Sequence, residues 1–237
     1  WVEKSEKFLH DCDASAFISK ITTNRDALIG ECGAKSEMHI AYLASYTLLF
    51  AENFDMGDRE LVNRLFTSKE LYNVYVYSAA MWVNTAVGRG SEIAEMRLST
   101  NRILANDIIE KAQAAIDGKN PHTANLRFTH DSYVGPLLSA MGYEGCVPQW
   151  NKNIELSATS FNHGMVVPMA SNLQIILYRN KQGKILVRSL INERDGYLPI
   201  KCETAPFYPW EAFRELAYKN LEKLDKTRNE LFPHLKR

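Results

Sequence analysis

The spacing of apolar residues changes character once along this chain, and that change limits the folds open to it. Up to about residue 118, apolar side chains recur every three or four residues, the period of a helix with one buried face. Phe17, Ile18, Ile21, Leu28 and Ile29 predict one or two short helices ending near Gly30 and Gly33, and Met38, Ala41, Tyr42, Ser45, Leu48 and Leu49 predict a longer one. Phe54-Asp55-Met56-Gly57-Asp58 reads as a turn. Thr67 and Glu70 have the spacing of a capping box, so a helix should run from about Ser68 to Val87, with Gly88-Arg89-Gly90 as its stop. Leu104, Ala105, Ile108, Ile109, Ala112 and Ile116 place another over 102–116, closed by Asp117-Gly118.

After Asn120-Pro121 the pattern alternates. Ala124-Asn125-Leu126-Arg127-Phe128-Thr129 reads as a strand, and Ser132 to Met141 as a helix ending at Gly142. Two β-rich runs, Asn172 to Arg179 and Lys184 to Ile191, joined by Asn180-Lys181-Gln182-Gly183, read as a hairpin, so part of the sheet is antiparallel. Pro209 then opens a final helix with Trp210, Phe213, Ala217, Leu221 and Leu224 on one face. The expected fold class is α/β, with a helical region over 1–118 and, over 119–237, strand–helix segments with a β-hairpin of a mixed sheet.

Charge and composition exclude whole classes of function. Lys plus Arg equals Asp plus Glu at 28 each, so no overall field draws the chain to nucleic acid. Apolar runs such as Ala79-Ala80-Met81-Trp82-Val83 are far shorter than the roughly 18 residues of a membrane span. The chain opens on Trp1 without an initiator Met or a signal-peptide pattern, and the expectation is that residues precede it in the complete protein. Cys12, Cys32, Cys146 and Cys202 lack the paired short spacings of a zinc site. They allow three disulfide pairings, Cys12 with Cys32 being the first to test, and buried free thiols are an equal reading.

The residues best suited to chemistry are His130 and Asp131. They fall between the expected strand and the following helix, where parallel-sheet enzymes hold ligands and helix N–H groups favour anions. An imidazole can donate to a phosphoryl oxygen, and an adjacent carboxylic acid can protonate a departing alkoxide. A second pair, His10-Asp11, reads as a solvated face before a helix cap, so the dipeptide gains meaning only from its setting. His163 could serve as a ligand or an acid but reads first as a solvated loop histidine; Arg89, Arg97 and Arg102 could present a basic face to a polyphosphate but, with Glu92 and Glu95 nearby, read first as a solvated helix surface. A metal-dependent His-Asp hydrolase would need further ligands, and His39 lies about ninety residues from His130.

Phe128-Thr129-His130-Asp131-Ser132 through Gly142 resembles the His-Asp segment of branch-two histidine phosphatases, the superfamily of histidine acid phosphatases and phytases. Val167-Pro168-Met169-Ala170-Ser171-Asn172 into the first hairpin strand, the partner ending Leu190-Ile191-Asn192, and Pro206-Phe207-Tyr208-Pro209-Trp210 are similar to the multiple inositol polyphosphate phosphatases. The resemblance covers about residues 121–216 and implies a partial histidine-phosphatase fold in which the helical region is a cap. It also implies a phosphomonoester hydrolase working through a phosphohistidine on inositol polyphosphates such as phytate, with no metal or cofactor and a periplasmic or secreted setting. His130 would donate to the phosphate and Asp131 would act as general acid.

In that family the nucleophile lies in an Arg-His-Gly-x-Arg-x-Pro segment. The six histidines here follow Leu9, Met38, Pro121, Thr129, Asn162 and Pro233, none of them Arg. The expectation is therefore a fragment whose partner is the N-terminal portion of the same protein, inactive alone and active when complete. The alternative is a pseudophosphatase, a non-catalytic phosphate-ester binding or interaction module.

Overall fold

A computed structural model describes residues 14–31, 37–49 and 60–235. His10-Asp11, Cys12, Cys32 and the expected turn at 54–58 lie outside the described residues. The chain packs as two compact units, one of residues up to Ala80 with Asn153–Ala158, the other of Met81–Lys152 with the chain from Thr159 onward.

The first unit is helical. Helices α1 (Ser15–Ile21), α2 (Arg25–Glu31) and α3 (Glu37–Leu49) follow the predicted periodicity, and α4 (Glu60–Leu65) is a further short helix. Its core holds Phe17, Ile18, Met38, Ile40, Ala41, Phe66 and Val74, with the Phe17 and Phe66 rings stacked 4.3 Å apart. The capping box at the start of α5 (Ser68–Trp82) is formed. Glu70 Oε2 accepts from the Thr67 N–H at 2.8 Å, and the Glu70 N–H donates to Thr67 Oγ1 at 3.2 Å. The other carboxylate oxygen accepts from the buried Phe17 N–H at 2.7 Å. Burial alone would raise the Glu70 pKa, but the hydrogen bonds from Thr67 and Phe17, with Lys20 nearby, outweigh it and hold the carboxyl below its ordinary value.

The second unit carries the sheet. After α5 a π-helical turn (Val83–Val87) ends at Gly88, where the sequence predicts the stop. Helices α6 (Glu92–Thr100), α7 (Arg102–Ile116) and α8 (Asp131–Met141) follow; the short α9 (Ile154–Thr159) falls, but for its last residue, in the first unit, and α10 (His163–Val166) in the second. The hairpin strands are β1 (Leu173–Arg179) and β2 (Ile185–Ile191), paired antiparallel from Leu173 with Ile191 to Arg179 with Ile185. Two-residue strands β3 (Arg194–Asp195) and β4 (Tyr208–Pro209) both pair antiparallel with β2. The final helix, α11 (Trp210–Leu231), buries Trp210, Phe213, Ala217, Leu221 and Leu224, the face that its periodicity predicts.

Two expectations change. The four described strands form a sheet that is antiparallel throughout, and the segment expected as a further strand, 124–129, is extended chain without sheet pairing. The alternation in its sequence is real, but a strand exists only through its neighbour. Among the described residues, no main-chain hydrogen bond joins 123–129 to another segment. Leu126 and Phe128 consequently stand 78 % and 93 % exposed.

Helix α8 is the central element of the second unit. From Gly135 to Met141 every residue is buried, and burying Leu137, Leu138 and Met141 contributes about 1.5–3 kcal/mol each. Ser139 Oγ donates to the Val87 carbonyl at 2.8 Å, and Arg89 donates to the Ser139 carbonyl at 3.1 Å while facing Glu95 at 3.7 Å. Arg89 is thus a partly buried brace, not part of the solvated surface expected of it. Gly142 closes the helix at φ 88°, a left-handed conformation that glycine takes without strain, and Asn220 donates to the Met141 carbonyl at 3.0 Å. Among the described cysteines, Cys146 and Cys202 are free thiols, and burial pushes Cys146 up to about 11.

Candidate active site

The pinning of α8 is one-sided: its C-terminal half is packed on all sides, whereas its first residues open to solvent. His130 is the residue before the helix, with extended backbone at φ −96° and ψ 161°. Its carbonyl accepts the first helical bonds, from Tyr133 at 3.0 Å and Val134 at 3.2 Å. Asp131 is the first helical residue, and one carboxylate oxygen accepts from the Ser132 N–H at 2.6 Å. Both side chains are exposed. The structure therefore brings His130 and Asp131 together at the N-terminus of an eleven-residue helix, where the positive end of the helix dipole favours an anion.

The lead-in is held from one side. Arg127 pairs with Asp107 of α7 at 2.5 Å and donates to Asn125 at 3.0 Å, which fixes the polar face of 124–129 and leaves Leu126 and Phe128 on the other. Asp107 lies below its ordinary carboxyl value, chiefly through its hydrogen bond with Lys111, with Arg127 adding to the effect.

His163 is not the solvated loop residue its sequence suggests. It opens α10 and is partly buried, its ring lying parallel to that of Trp82 with centroids 6.2 Å and planes 10° apart. Burial pushes its pKa below the ordinary histidine value, while the negative charge of Asp131 works in the opposite sense. Asp131 is thus close enough to act on His163 electrostatically. Asn162 accepts from the Met165 N–H to cap α10, and Asn192 donates to the carbonyls of Met165 and Val166 at 3.2 and 3.1 Å. Asn192 sits in the left-handed region at φ 49°, at the end of β2, so the hairpin holds α10 in place. The sequence signals neither the stacking nor the tie, because both depend on residues about eighty and thirty positions away in the chain.

Arg102, also expected on an open basic surface, pairs with Asp225 of α11 at 2.7 Å. Among the described residues no group of three or more His, Cys, Asp and Glu side chains is arranged to hold a metal ion. No helix of the described residues is long and apolar enough to cross a membrane.

An exposed His-Asp pair at a helix N-terminus in an α/β fold is an arrangement suited to an anionic group. Residues 30–192 match the family model of the histidine phosphatase superfamily, branch 2, which is more than half of the 237-residue chain, and the chain belongs to that superfamily. Its chemistry is phosphoester hydrolysis through a phosphohistidine. The match reaches back into the helical half, where the sequence alone carries little resemblance, and ends at Asn192, before Pro206-Phe207-Tyr208-Pro209-Trp210. Comparison with curated proteins gave no match.

Proposed function

We propose that this chain carries the acid half of a phosphomonoesterase site, and that in the complete protein an N-terminal portion supplies the histidine nucleophile and its arginine clamp. In the first step the nucleophile's nitrogen bonds to phosphorus as the ester P–O bond breaks. The electron pair stays on the leaving oxygen, Asp131 gives that oxygen its proton, and His130 donates to a phosphoryl oxygen. In the second step water attacks the phosphohistidine, the Asp131 carboxylate takes a proton from it, and the N–P bond opens to release phosphate. The substrate class is an inositol polyphosphate such as phytate, a reading supported by the similarity of residues 121–216 to the inositol polyphosphate phosphatases.

The observation that carries this reading is the setting of His130-Asp131, exposed at a helix N-terminus in a chain of the histidine phosphatase superfamily. Supporting the second half of the site coming from another segment, 123–129 leads into His130 with its main chain unpaired among the described residues. An added strand beside it would cover Leu126 and Phe128 and deliver its own end next to His130. The absence of any Arg-His pair among the six histidines favours a second reading, a phosphate-ester binding module without turnover.

The test compares this 237-residue chain with the complete gene product on phytate and on an activated aryl phosphate, at acid and neutral pH with chelator present. Turnover by the complete product alone is the expected result. Turnover by neither would leave the binding module, and chelator-sensitive turnover by the isolated chain would overturn phosphohistidine chemistry in favour of a metal-dependent hydrolase.

A further inference from the structure

We propose that His163 is a positioning residue for the acid of this site, stabilising the carboxylate that forms on Asp131 as its proton passes to the leaving oxygen. This rests on the phosphatase reading above and assigns a role to a histidine outside the His-Asp pair.

The geometry starts at Gly135, one helical turn after Asp131 and on the same face of α8. A Cβ at Gly135 would lie 3.2 Å from the Trp82 ring atom Cζ3, so the missing side chain is what lets the indole pack this closely onto the helix, and it would meet Val167 Cγ1 in ordinary contact at 3.5 Å. Val167 in turn lies one turn after His163 and donates to the His163 carbonyl at 2.8 Å. The Trp82 indole that rests on Gly135 also carries the parallel His163 ring. Two short stretches of helix, Asp131 to Gly135 and His163 to Val167, are thus packed together through Gly135, Val167 and Trp82. The charge of Asp131 reaches the imidazole, and Asn162 and Asn192 fix the backbone beneath it.

This placement suits a general acid. A lysine or arginine beside Asp131 would hold the carboxyl ionised, with no proton to give. At His163 burial works against a standing positive charge, so the imidazole differs in this from a lysine or arginine. When the P–O bond breaks and that proton moves to the leaving oxygen, a carboxylate appears beside an imidazole fixed by stacking. Its favourable interaction exists only as the charge develops, which lowers the barrier without tightening the ground state. No atom of His163 is transferred.

The experiment uses the complete protein with His163→Ala and His163→Gln, each alone and with Asp131→Asn. An alkyl phosphate with a poor leaving group is compared with an activated aryl phosphate, after thermal unfolding confirms that each variant is folded. The expected result is a loss in kcat of roughly ten- to a hundredfold on the alkyl ester, about the cost of a misplaced catalytic group. KM and aryl phosphate turnover should stay within about twofold, and His163→Ala should have no further effect in the Asp131→Asn background. Should His163→Ala fail to fold, His163→Gln, which fills the site without titrating, decides by the same leaving-group comparison. Equal slowing of both esters, a change confined to KM, or a full loss persisting on Asp131→Asn would each overturn the proposal. A wild-type complete protein that hydrolyses neither ester overturns the phosphatase reading and this role with it; an active wild type indifferent to His163 overturns this role alone.

Discussion

Among the acidic residues in the first turns of helices, Glu70 and Asp131 are treated in opposite ways. At the start of α5, Glu70 is 3 % exposed, and its two oxygens accept from Thr67 and from the buried Phe17 N–H. At the start of α8, Asp131 is exposed and, among the described residues, its hydrogen bond is to the N–H of its own neighbour, Ser132. A carboxylate whose two oxygens both accept from fixed donors, one of them a buried main-chain N–H, is part of the scaffold, and protonating it costs stability. One held only by its own backbone, on a helix braced at the far end, keeps a free oxygen in a fixed place. The difference between structural and chemical acids lies in which hydrogen bonds are already made, not in residue type or sequence spacing.

The sharpest way to break that comparison is at Asp131. In the complete protein, Asp131→Asn should slow hydrolysis of alkyl phosphates by about 10²–10⁴-fold, the usual worth of a positioned general acid. An activated aryl phosphate, whose leaving group needs little protonation, should be slowed far less. Steady-state kinetics on the two ester types checks this, and equal slowing of both would remove Asp131 from the role of leaving-group acid.

At Glu70 the effect should appear in stability. Glu70→Ala removes the capping box, worth about 1 kcal/mol, and leaves the buried Phe17 N–H unpaired, at about 1–3 kcal/mol. Together these predict a loss of about 2–4 kcal/mol, read as a shift in urea midpoint. The contribution also carries a sign in pH. The folded-state pKa of Glu70 lies below its ordinary value, so its stabilisation is complete above the unfolded value of about 4.3 and is lost as pH falls through the folded one. The stability difference between wild type and Glu70→Gln should stay constant above about pH 5 and narrow in more acidic solution. A difference that widens on acidification would mean that burial, not hydrogen bonding, governs this carboxyl.

These two sites also mark how far the sequence could be read. The capping box was legible because its partners are three residues apart, and the buried face of α11 because five apolar residues repeat at helical spacing on one element. His130-Asp131 was legible as a motif, and the α8 boundaries at Met141 and Gly142 followed from periodicity and a terminal glycine. The failures have a shared cause. Residues 124–129 carry the alternation of a strand, but pairing requires a neighbour, and Arg127 is instead engaged with Asp107. His163 sits among polar loop residues in the sequence, and only the fold brings Trp82 beneath it and Asn192 behind it. Arg89 looks solvent-facing beside Glu92 and Glu95 until the fold turns it onto the Ser139 carbonyl. Local patterns reveal elements, whereas burial of a single polar side chain is decided by segments far away in the chain.

The smallest expected effect closes the comparison from the other side. Asp131→Ala should hardly change stability, because the bond it deletes lies at an exposed helix end where water can replace it. What remains is the attraction between a carboxylate and the helix N-terminus, about 0.3–1 kcal/mol at low ionic strength. That term is screened once salt brings the Debye length to about 3 Å near 1 M. Urea unfolding in low and high salt should therefore show a small loss for Asp131→Ala that fades with added salt, beside a loss for Glu70→Ala that does not. If Asp131→Ala instead cost as much as Glu70→Ala at both salt concentrations, Asp131 would be a structural cap, and the contrast between the two helix starts would fail.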